Sequence, residues 1–165
     1  MQQEDSYSFQ VNLKGMIALL SEHLYSDPNT FIRELLQNAV DAITAIRYLD
    51  EGHLGSITVT LPSQGQQAFI FQDNGIGLKE SEIHQFLSVI GESSKGKDVY
   101  EAQDFIGKFG IGLLSCFVVS DQIVVETRSA IEQKSLRWIA NATGDYRIET
   151  IDELLPIGTR ILLKP

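Results

Sequence analysis

The sequence predicts an α+β fold, a two-layer α/β sandwich with helices on one face of a mixed, mostly antiparallel sheet. Two observations indicate it. Apolar residues recur at three- and four-residue spacings in the first third of the chain, whereas short apolar strands fill the last third. Helices on one side of a largely antiparallel sheet give two packed layers. At 165 residues the chain is expected to form one domain, residues 1–165.

The first elements are a strand-forming lead and two helices. Residues 1–10 are the lead, and residues 11–24 show helical spacing. Thr30 is placed to cap the second helix, which should run from about residue 31 to residue 48. Its apolar residues are expected to pack on the sheet, and they are Ile32, Leu35, Leu36, Ala39, Val40, Ile43 and Ile46.

The rest of the chain alternates between short strands and loops. A polar stretch at 91–106 indicates a loop. The predicted elements are hairpin strands at 57–61 and 68–72, a short helix at 81–89, a helix-like segment at 113–119, and strands at 122–127, 135–142, 146–151 and 159–163.

Composition limits the classes of function. Thirteen basic and twenty-two acidic side chains leave a net charge of −9, which argues against nucleic acid and anionic membranes as partners. ATP is not excluded, because a small polyanion needs only a local cluster of donors and a metal ion. The single cysteine, Cys116, excludes an internal disulfide and is expected in the core. With no secretory signal pattern and no apolar run near ~20 residues, a cytoplasmic location is expected.

A polar stripe marks the second helix. Glu34, Asn38 and Asp41 follow one another at spacings of four and three, so they share one helix face. An ordinary solvated face is one interpretation. The other is a ligand site, in which a carboxylate orients water and an amide oxygen holds Mg²⁺. Apolar or small residues flank the stripe and leave room for a ligand: Phe31, Ala42 and Ala45.

Two glycine-containing loops extend the pattern. Asp73-Asn74-Gly75-Ile76-Gly77 follows an apolar strand, and a glycine there permits close approach of a ligand, although a simple turn has the same composition. Residues 107–112 read G-x-x-G-x-G before a helix-like segment, which is typical of a phosphate site or of a hinge. The spacing matches neither GxxxxGK[ST] nor GxGxxG. Gly158-Thr159 then precedes the last strand, and the ordered set favours a nucleotide site.

In this order the motifs resemble the GHKL ATPase superfamily and, within it, the N-terminal ATP-binding domain of the heat-shock protein 90 chaperone family. The resemblance spans nearly the whole chain. It is carried by Phe9, SDPNTFIRELLQNAVDA at 26–42, DNGIGL at 73–78, GKFGIGLLSCF at 107–117, and GDYRIET followed by GTRILL near the end. It implies the Bergerat fold, with ATP between the helices and the sheet.

The resemblance also implies residue roles. Glu34 would be the general base that orients water toward the γ-phosphate, Arg33 is a candidate for positioning it or a plain surface charge, and Asn38 would ligate Mg²⁺. Asp73 would accept the adenine amino group, with Thr159 supporting it. Gly77 would let the backbone approach the base. The pocket-lining and phosphate-binding candidates are Asp41, Ala42, Ile76, Leu78, Lys95, Gly110, Ile111, Gly112 and Leu113, and for Lys95 a solvated loop lysine is an equally good interpretation.

Three departures from the family qualify these expectations. The segment between the glycine loops is short where the chaperones have a longer lid, and Leu113-Leu114 replaces the usual aromatic pair. Nothing resembles the chaperone's middle and dimerisation domains, so the chain is expected to be the N-terminal part of a longer protein, with slow hydrolysis by this domain alone.

The expected function is ATP binding and slow Mg²⁺-dependent hydrolysis that drives conformational change in a heat-shock protein 90-like chaperone. Its partners would be ATP or ADP, and client proteins through other domains, with neither nucleic acid nor membrane. The full-length protein is expected to be a homodimer and this domain a monomer. Two alternatives are a non-hydrolysing nucleotide-binding switch and a relative of the histidine kinases or MutL.

Overall fold

The computed structural model describes residues 3–8, 27, 29–84, 111–143 and 145–164. This part of the chain contains helix α1 at Thr30–Ile46, a 3₁₀ helix at Ile111–Val118, and a helical turn that begins at residue 80. The strands are β1 Gln3–Ser8, β2 Ile57–Thr60, β3 Phe69–Asp73, β4 Gln122–Arg128, β5 Ser135–Asn141, β6 Asp145–Thr150 and β7 Gly158–Leu163.

These strands form one seven-stranded sheet in the order β1-β6-β5-β4-β7-β3-β2. Every strand pairing within the described residues is antiparallel, so the antiparallel character is confirmed and the parallel part of the predicted mixed sheet is not found there. Hairpins join β2 to β3 and β4 through β5 to β6. Strand β7 lies between β4 and β3 and unites the two groups.

The core lies between the sheet and the helices. Strand alternation sends every second side chain to the helix-facing side, and α1 packs against β3 and the 3₁₀ helix. This confirms the two-layer α+β prediction. The fully or nearly buried side chains include Leu35, Phe71, Leu114, Cys116, Ile123, Val125, Leu136, Trp138 and Leu163.

The start of α1 differs from the prediction by one residue. Thr30 is the first helical residue rather than the cap, and Asn29 occupies the cap position without a side-chain cap hydrogen bond. Asp27 provides the acceptors instead: its carbonyl accepts the Thr30 amide at 3.0 Å and its Oδ1 accepts the Asn29 amide at 2.9 Å. A residue two positions before the cap therefore accepts both amides, one through its backbone carbonyl and one through its side chain, and propensity rules for the cap position do not detect it.

The apolar face of α1 is only partly buried. Leu35, Ala39, Ile43 and Ile46 are buried, which confirms their predicted packing. Ile32, Leu36 and Val40 are exposed, so their predicted packing on the sheet is wrong. A straight helix contacts a sheet along one line of residues, and the second apolar line turns away from it. Periodicity defines a broad apolar arc but does not say which edge of that arc faces the sheet.

Several predicted features lie outside the described residues. They are Phe9, the helix at 11–24, most of the short helix at 81–89, the loop at 91–106 and the glycines of the second loop before Ile111. Within the described ranges, no helix is long and apolar enough to cross a membrane.

Candidate functional site

Asp73 is the buried carboxylate of the site. It ends β3 on the helix-facing side of the sheet and is 8% exposed. Its Oδ1 accepts the Gly75 amide at 2.8 Å, and the Thr159 backbone also donates a hydrogen bond to the carboxylate. Burial raises the pKa of Asp73 from 3.8 to about 6, while these two hydrogen bonds lower it. Near pH 7.5 the side chain is therefore mainly ionised and accepts hydrogen bonds only.

The loop after Asp73 is held between α1 and the end of β4. The Ile76 amide donates to the Ala42 carbonyl at 3.0 Å, and the Ile76 carbonyl accepts the Ala130 amide at 2.8 Å. Half-buried Leu78 packs against the core. The structure thus ties Ile76 to Ala42 and places Leu78 against the core, and their predicted lining of a pocket stays a prediction.

Gly77 has a positive φ of +74°. A Cβ at this position would also collide with the Arg128 backbone oxygen. Both facts require glycine, because residues other than glycine rarely adopt this backbone conformation and no space remains for a side chain. The loop therefore follows the end of β4 at a distance that only a bare backbone allows.

Thr127 is a buried residue of the site that the sequence analysis missed. It faces the helices from β4, and its hydroxyl accepts the Leu78 amide at 2.9 Å. The same hydroxyl donates to the Gly158 carbonyl at 2.9 Å and lies 3.0 Å from the Thr159 hydroxyl. A threonine in a strand is common and carries no local signal. The available clue was parity, because Thr127 falls on the same face as the inward residues Ile123 and Val125.

The pairing of three strands places the polar residues side by side. Thr127 pairs with Thr159 across β4 and β7, and Thr159 pairs with Asp73 across β7 and β3. All three side chains point toward the helices. They form a polar row, Thr127-Thr159-Asp73, at the edge of an otherwise apolar core.

The polar stripe of α1 divides in two. Glu34 and Asn38 are half-buried, whereas Arg33 and Asp41 are exposed. Asp41 accepts a hydrogen bond from Gln37 Nε2 at 3.0 Å along the helix surface. The predicted shared face therefore holds most closely for Glu34 and Asn38, which lie one turn apart.

Glu34 lies directly against the 3₁₀ helix. A Cβ on buried Gly112 would collide with Glu34 Oε2, so the carboxylate occupies the space that a side chain there would need. Burial, and after it the negative charge of Glu34, raise the pKa of the Cys116 thiol, which stays protonated. Ser115 Oγ donates to the Gly112 carbonyl at 2.6 Å. Gly112, the last residue of the second glycine motif, thus lies beside the predicted general base.

The remaining candidates at this end are only partly described. Leu113 is buried, and the backbone of Ile111 begins the 3₁₀ helix. Lys95 and Gly110 lie outside the described residues, so their predicted phosphate contacts stay predictions.

A metal cage made by the protein alone is not present in the described ranges, which hold no group of three or more His, Cys, Asp or Glu side chains suited to one. Mg²⁺ keeps several waters and takes its other ligands from phosphates, so one protein oxygen suffices. The half-buried amide of Asn38 fits that requirement.

Comparison with known proteins decides the family. Residues 25–157 match the family model described as "Histidine kinase-, DNA gyrase B-, and HSP90-like ATPase". The chain belongs to this ATPase family. It is accordingly a nucleotide-binding domain, and the two-layer fold described above is consistent with that membership.

Within this family, the chain is similar to chaperone proteins named HtpG. The chain is 30% identical to chaperone protein HtpG of Wolbachia sp. subsp. Brugia malayi, over 96% of this chain and 28% of that protein. It is 33% identical to HtpG of Chlorobium phaeovibrioides, over 94% of this chain and 27% of that protein. It is 35% identical to HtpG of Acinetobacter baylyi, over 96% and 27% respectively. The chain thus spans little more than a quarter of the length of these relatives.

Proposed function

We propose that this domain binds ATP between α1 and the sheet and hydrolyses it slowly with Mg²⁺, as the nucleotide-binding module of an HSP90-like molecular chaperone. ATP binding and hydrolysis would drive conformational change in the full-length protein. Membership of the ATPase family and the likeness to HtpG proteins support this proposal. They favour it over a nucleotide switch that does not hydrolyse.

One observation carries the proposal. The buried, ionisable Asp73 is followed by a loop in which position 77 has space only for glycine. An apolar core tolerates a carboxylate with a raised pKa where a ligand can supply hydrogen-bond donors. The exocyclic amino group of adenine is such a donor. Gly77 lets the backbone come close to the base, and Thr159, beside Asp73, supports the same edge.

At the other end we assign hydrolysis to Glu34. A half-buried carboxylate one helix turn from an amide has the composition needed to orient water and to hold a cation beside phosphates. The amides of Gly110, Ile111 and Gly112 would hold the phosphates. Mg²⁺, through Asn38, would neutralise phosphate charge. Arg33 is a candidate for positioning Glu34, and Lys95 for contacting a phosphate.

The larger setting is also part of the proposal. Residues 1–165 would form one domain of a longer cytoplasmic chaperone that is a homodimer, whereas the isolated domain is a monomer. Client proteins would bind through other domains, and neither nucleic acid nor membrane would be a partner, in keeping with the net charge of −9.

The first test is calorimetric titration of ATP with Mg²⁺ into the wild type, Asp73→Asn and Asp121→Asn. Asp121 is an exposed carboxylate just before β4 and serves as the matched control. We expect one-to-one binding by the wild type and the control, and its loss in Asp73→Asn. Equal binding by all three proteins would remove Asp73 as the adenine acceptor.

A second measurement separates binding from hydrolysis. Under single-turnover conditions with labelled ATP, Glu34→Ala should keep ATP affinity and lose turnover by roughly 100-fold or more, the usual contribution of a general base. Undiminished turnover would remove Glu34 as base. If turnover is negligible in both the wild type and Glu34→Ala, and remains so in the full-length protein, the non-hydrolysing nucleotide-binding switch is favoured.

A further inference from the structure

Thr127 makes three polar contacts with one hydroxyl group while being only 1% exposed. Its Oγ1 lies 2.9 Å from the Leu78 amide nitrogen, 2.9 Å from the Gly158 carbonyl oxygen and 3.0 Å from the Thr159 hydroxyl oxygen. These partners come from two segments of the chain, the loop that ends at Leu78 and the start of β7, and two of the three can play only one role in a hydrogen bond.

The proton count fixes the role of the third partner. A threonine hydroxyl has one proton and two lone pairs. The Leu78 amide can only donate a hydrogen bond and the Gly158 carbonyl can only accept one, so the Thr127 hydroxyl donates its hydrogen bond to Gly158. One of its lone pairs accepts the hydrogen bond from the Leu78 amide. The other faces Thr159, which must donate its own hydroxyl proton to Thr127.

The opposite arrangement is unfavourable. If Thr127 donated to Thr159, its oxygen and the Gly158 carbonyl oxygen would face each other 2.9 Å apart with no proton between them. That arrangement loses the Thr127–Gly158 hydrogen bond and sets two oxygen lone pairs against each other, so the network holds one orientation. The Thr159 hydroxyl therefore has only its lone pairs left for a ligand.

The adjacent carboxylate has the same polarity. Asp73 is the cross-strand neighbour of Thr159, and its ionised carboxylate also accepts only. This end of the site thus presents acceptors alone. A 6-amino group on a purine offers two N–H donors to it, directly or through a water molecule. A 6-oxo group would set an acceptor against acceptors.

We propose that Thr127 is a positioning residue that makes the site select 6-aminopurine nucleotides over 6-oxopurine nucleotides, by holding the proton of the Thr159 hydroxyl away from the ligand. The inference rests on the proposed nucleotide site and deepens it. Without the Thr127 hydroxyl, the Thr159 hydroxyl rotates freely, and it can donate to a 6-oxo group as well as accept from a 6-amino group.

The test is the ratio of dissociation constants for inosine triphosphate and ATP, measured by calorimetry on the wild type, Thr127→Val and Thr127→Ser. Thr127→Val keeps the shape and removes the hydroxyl. It should lower the ratio by about five- to tenfold, the equivalent of one hydrogen bond. Thr127→Ser keeps the hydroxyl and should keep the ratio. If Thr127 had only a structural role, Thr127→Val would weaken the binding of both nucleotides equally and leave the ratio unchanged.

Ser120→Ala is the matched control for lost stability. The buried Ser120 hydroxyl contacts the carbonyls of Gln122 and Lys164 at 2.7 and 2.9 Å, near the opposite end of β4. Removing it should destabilise the fold and leave the ratio unchanged. A changed ratio in Ser120→Ala would attribute the Thr127 effect to stability and overturn the inference.

The remaining outcomes separate this inference from the proposed function. A folded Thr127→Val protein with an unchanged ratio overturns the inference alone. If that variant does not fold, Thr159→Val removes the acceptor itself, and an unchanged ratio there has the same meaning. A folded wild type that binds no ATP overturns both the inference and the nucleotide site.

Discussion

The two ends of the candidate site are built differently. The Asp73 end belongs to the sheet: strands β3, β7 and β4 place Asp73, Thr159 and Thr127 side by side, and hydrogen bonds connect them to the Gly77–Leu78 loop. The Glu34 end joins a helix to a 3₁₀ helix, and its key contact is the close approach of Gly112 to a flexible carboxylate.

Under the proposed function, this difference would separate base recognition at the Asp73 end from hydrolysis at the Glu34 end. Strand pairing fixes the spacing of neighbouring side chains, so the Asp73 end is organised as soon as the sheet forms. A glutamate side chain has several rotatable bonds and keeps its position only while its surroundings hold it. We therefore expect substitutions at the sheet end to change folding and base affinity, and those at the helix end to change turnover.

The largest expected effect is that of Gly77→Ala. The positive φ costs an alanine about 1–2 kcal/mol, and the collision with the Arg128 carbonyl adds to it, for a loss near 3 kcal/mol in the free energy of unfolding. Urea denaturation measures this. Gly65→Ala is the control, because a Cβ there meets no atom within 4 Å. Equal losses in both variants would contradict the tight approach at Gly77.

Next in size is Gly112→Ala, which should act on turnover. The new Cβ displaces the Glu34 carboxylate, whereas the backbone around Gly112 needs no positive φ. We expect single-turnover hydrolysis to fall by about 100-fold, the scale of a misplaced general base, with ATP affinity changed far less.

A double mutant shows whether Gly112→Ala acts through Glu34. In a Glu34→Gln background, Gly112→Ala should change turnover little, because the carboxylate it displaces is already gone. Additive losses in the double mutant would mean that the loop itself, and not the position of Glu34, limits turnover.

The smallest of these effects is the pH dependence of base binding. The pKa of Asp73 in the folded protein, about 6, lies above its ordinary value of 3.8. Protonation of Asp73 therefore makes its full contribution to the free energy of unfolding below pH 3.8, and this contribution is lost as the pH rises through 6. Base binding at the proposed site would have the opposite pH dependence, because it would need the ionised Asp73 carboxylate as acceptor. Adenosine affinity should be about tenfold weaker at pH 5 than at pH 7.5.

Adenosine is the right probe for this experiment because it has no phosphate that titrates in the same range. Chemical-shift titration by NMR can follow weak binding at each pH. An adenosine affinity that does not change between pH 5 and pH 7.5 would separate Asp73 from base recognition.

Local patterns predicted much of the fold. Helical period and strand alternation located α1 and the strands to within about two residues, the usual error of element boundaries. Glu34 and Asn38 became candidates because a spacing of four places both on one helix face, and Asp73 because a carboxylate directly followed an apolar strand. In each case the information lies within a few consecutive residues.

What the sequence by itself determined is therefore the kind and order of the elements and the residues whose chemistry is visible in a short motif. The tertiary structure decided the rest. Thr127 contacts residues 49 positions before it and 32 after it, a proximity that exists only once β7 lies between β3 and β4. The same holds for the meeting of Gly112 with Glu34 and for the exposure of Ile32, Leu36 and Val40. Each depends on which side of an element faces its neighbour, and local periodicity does not define that choice.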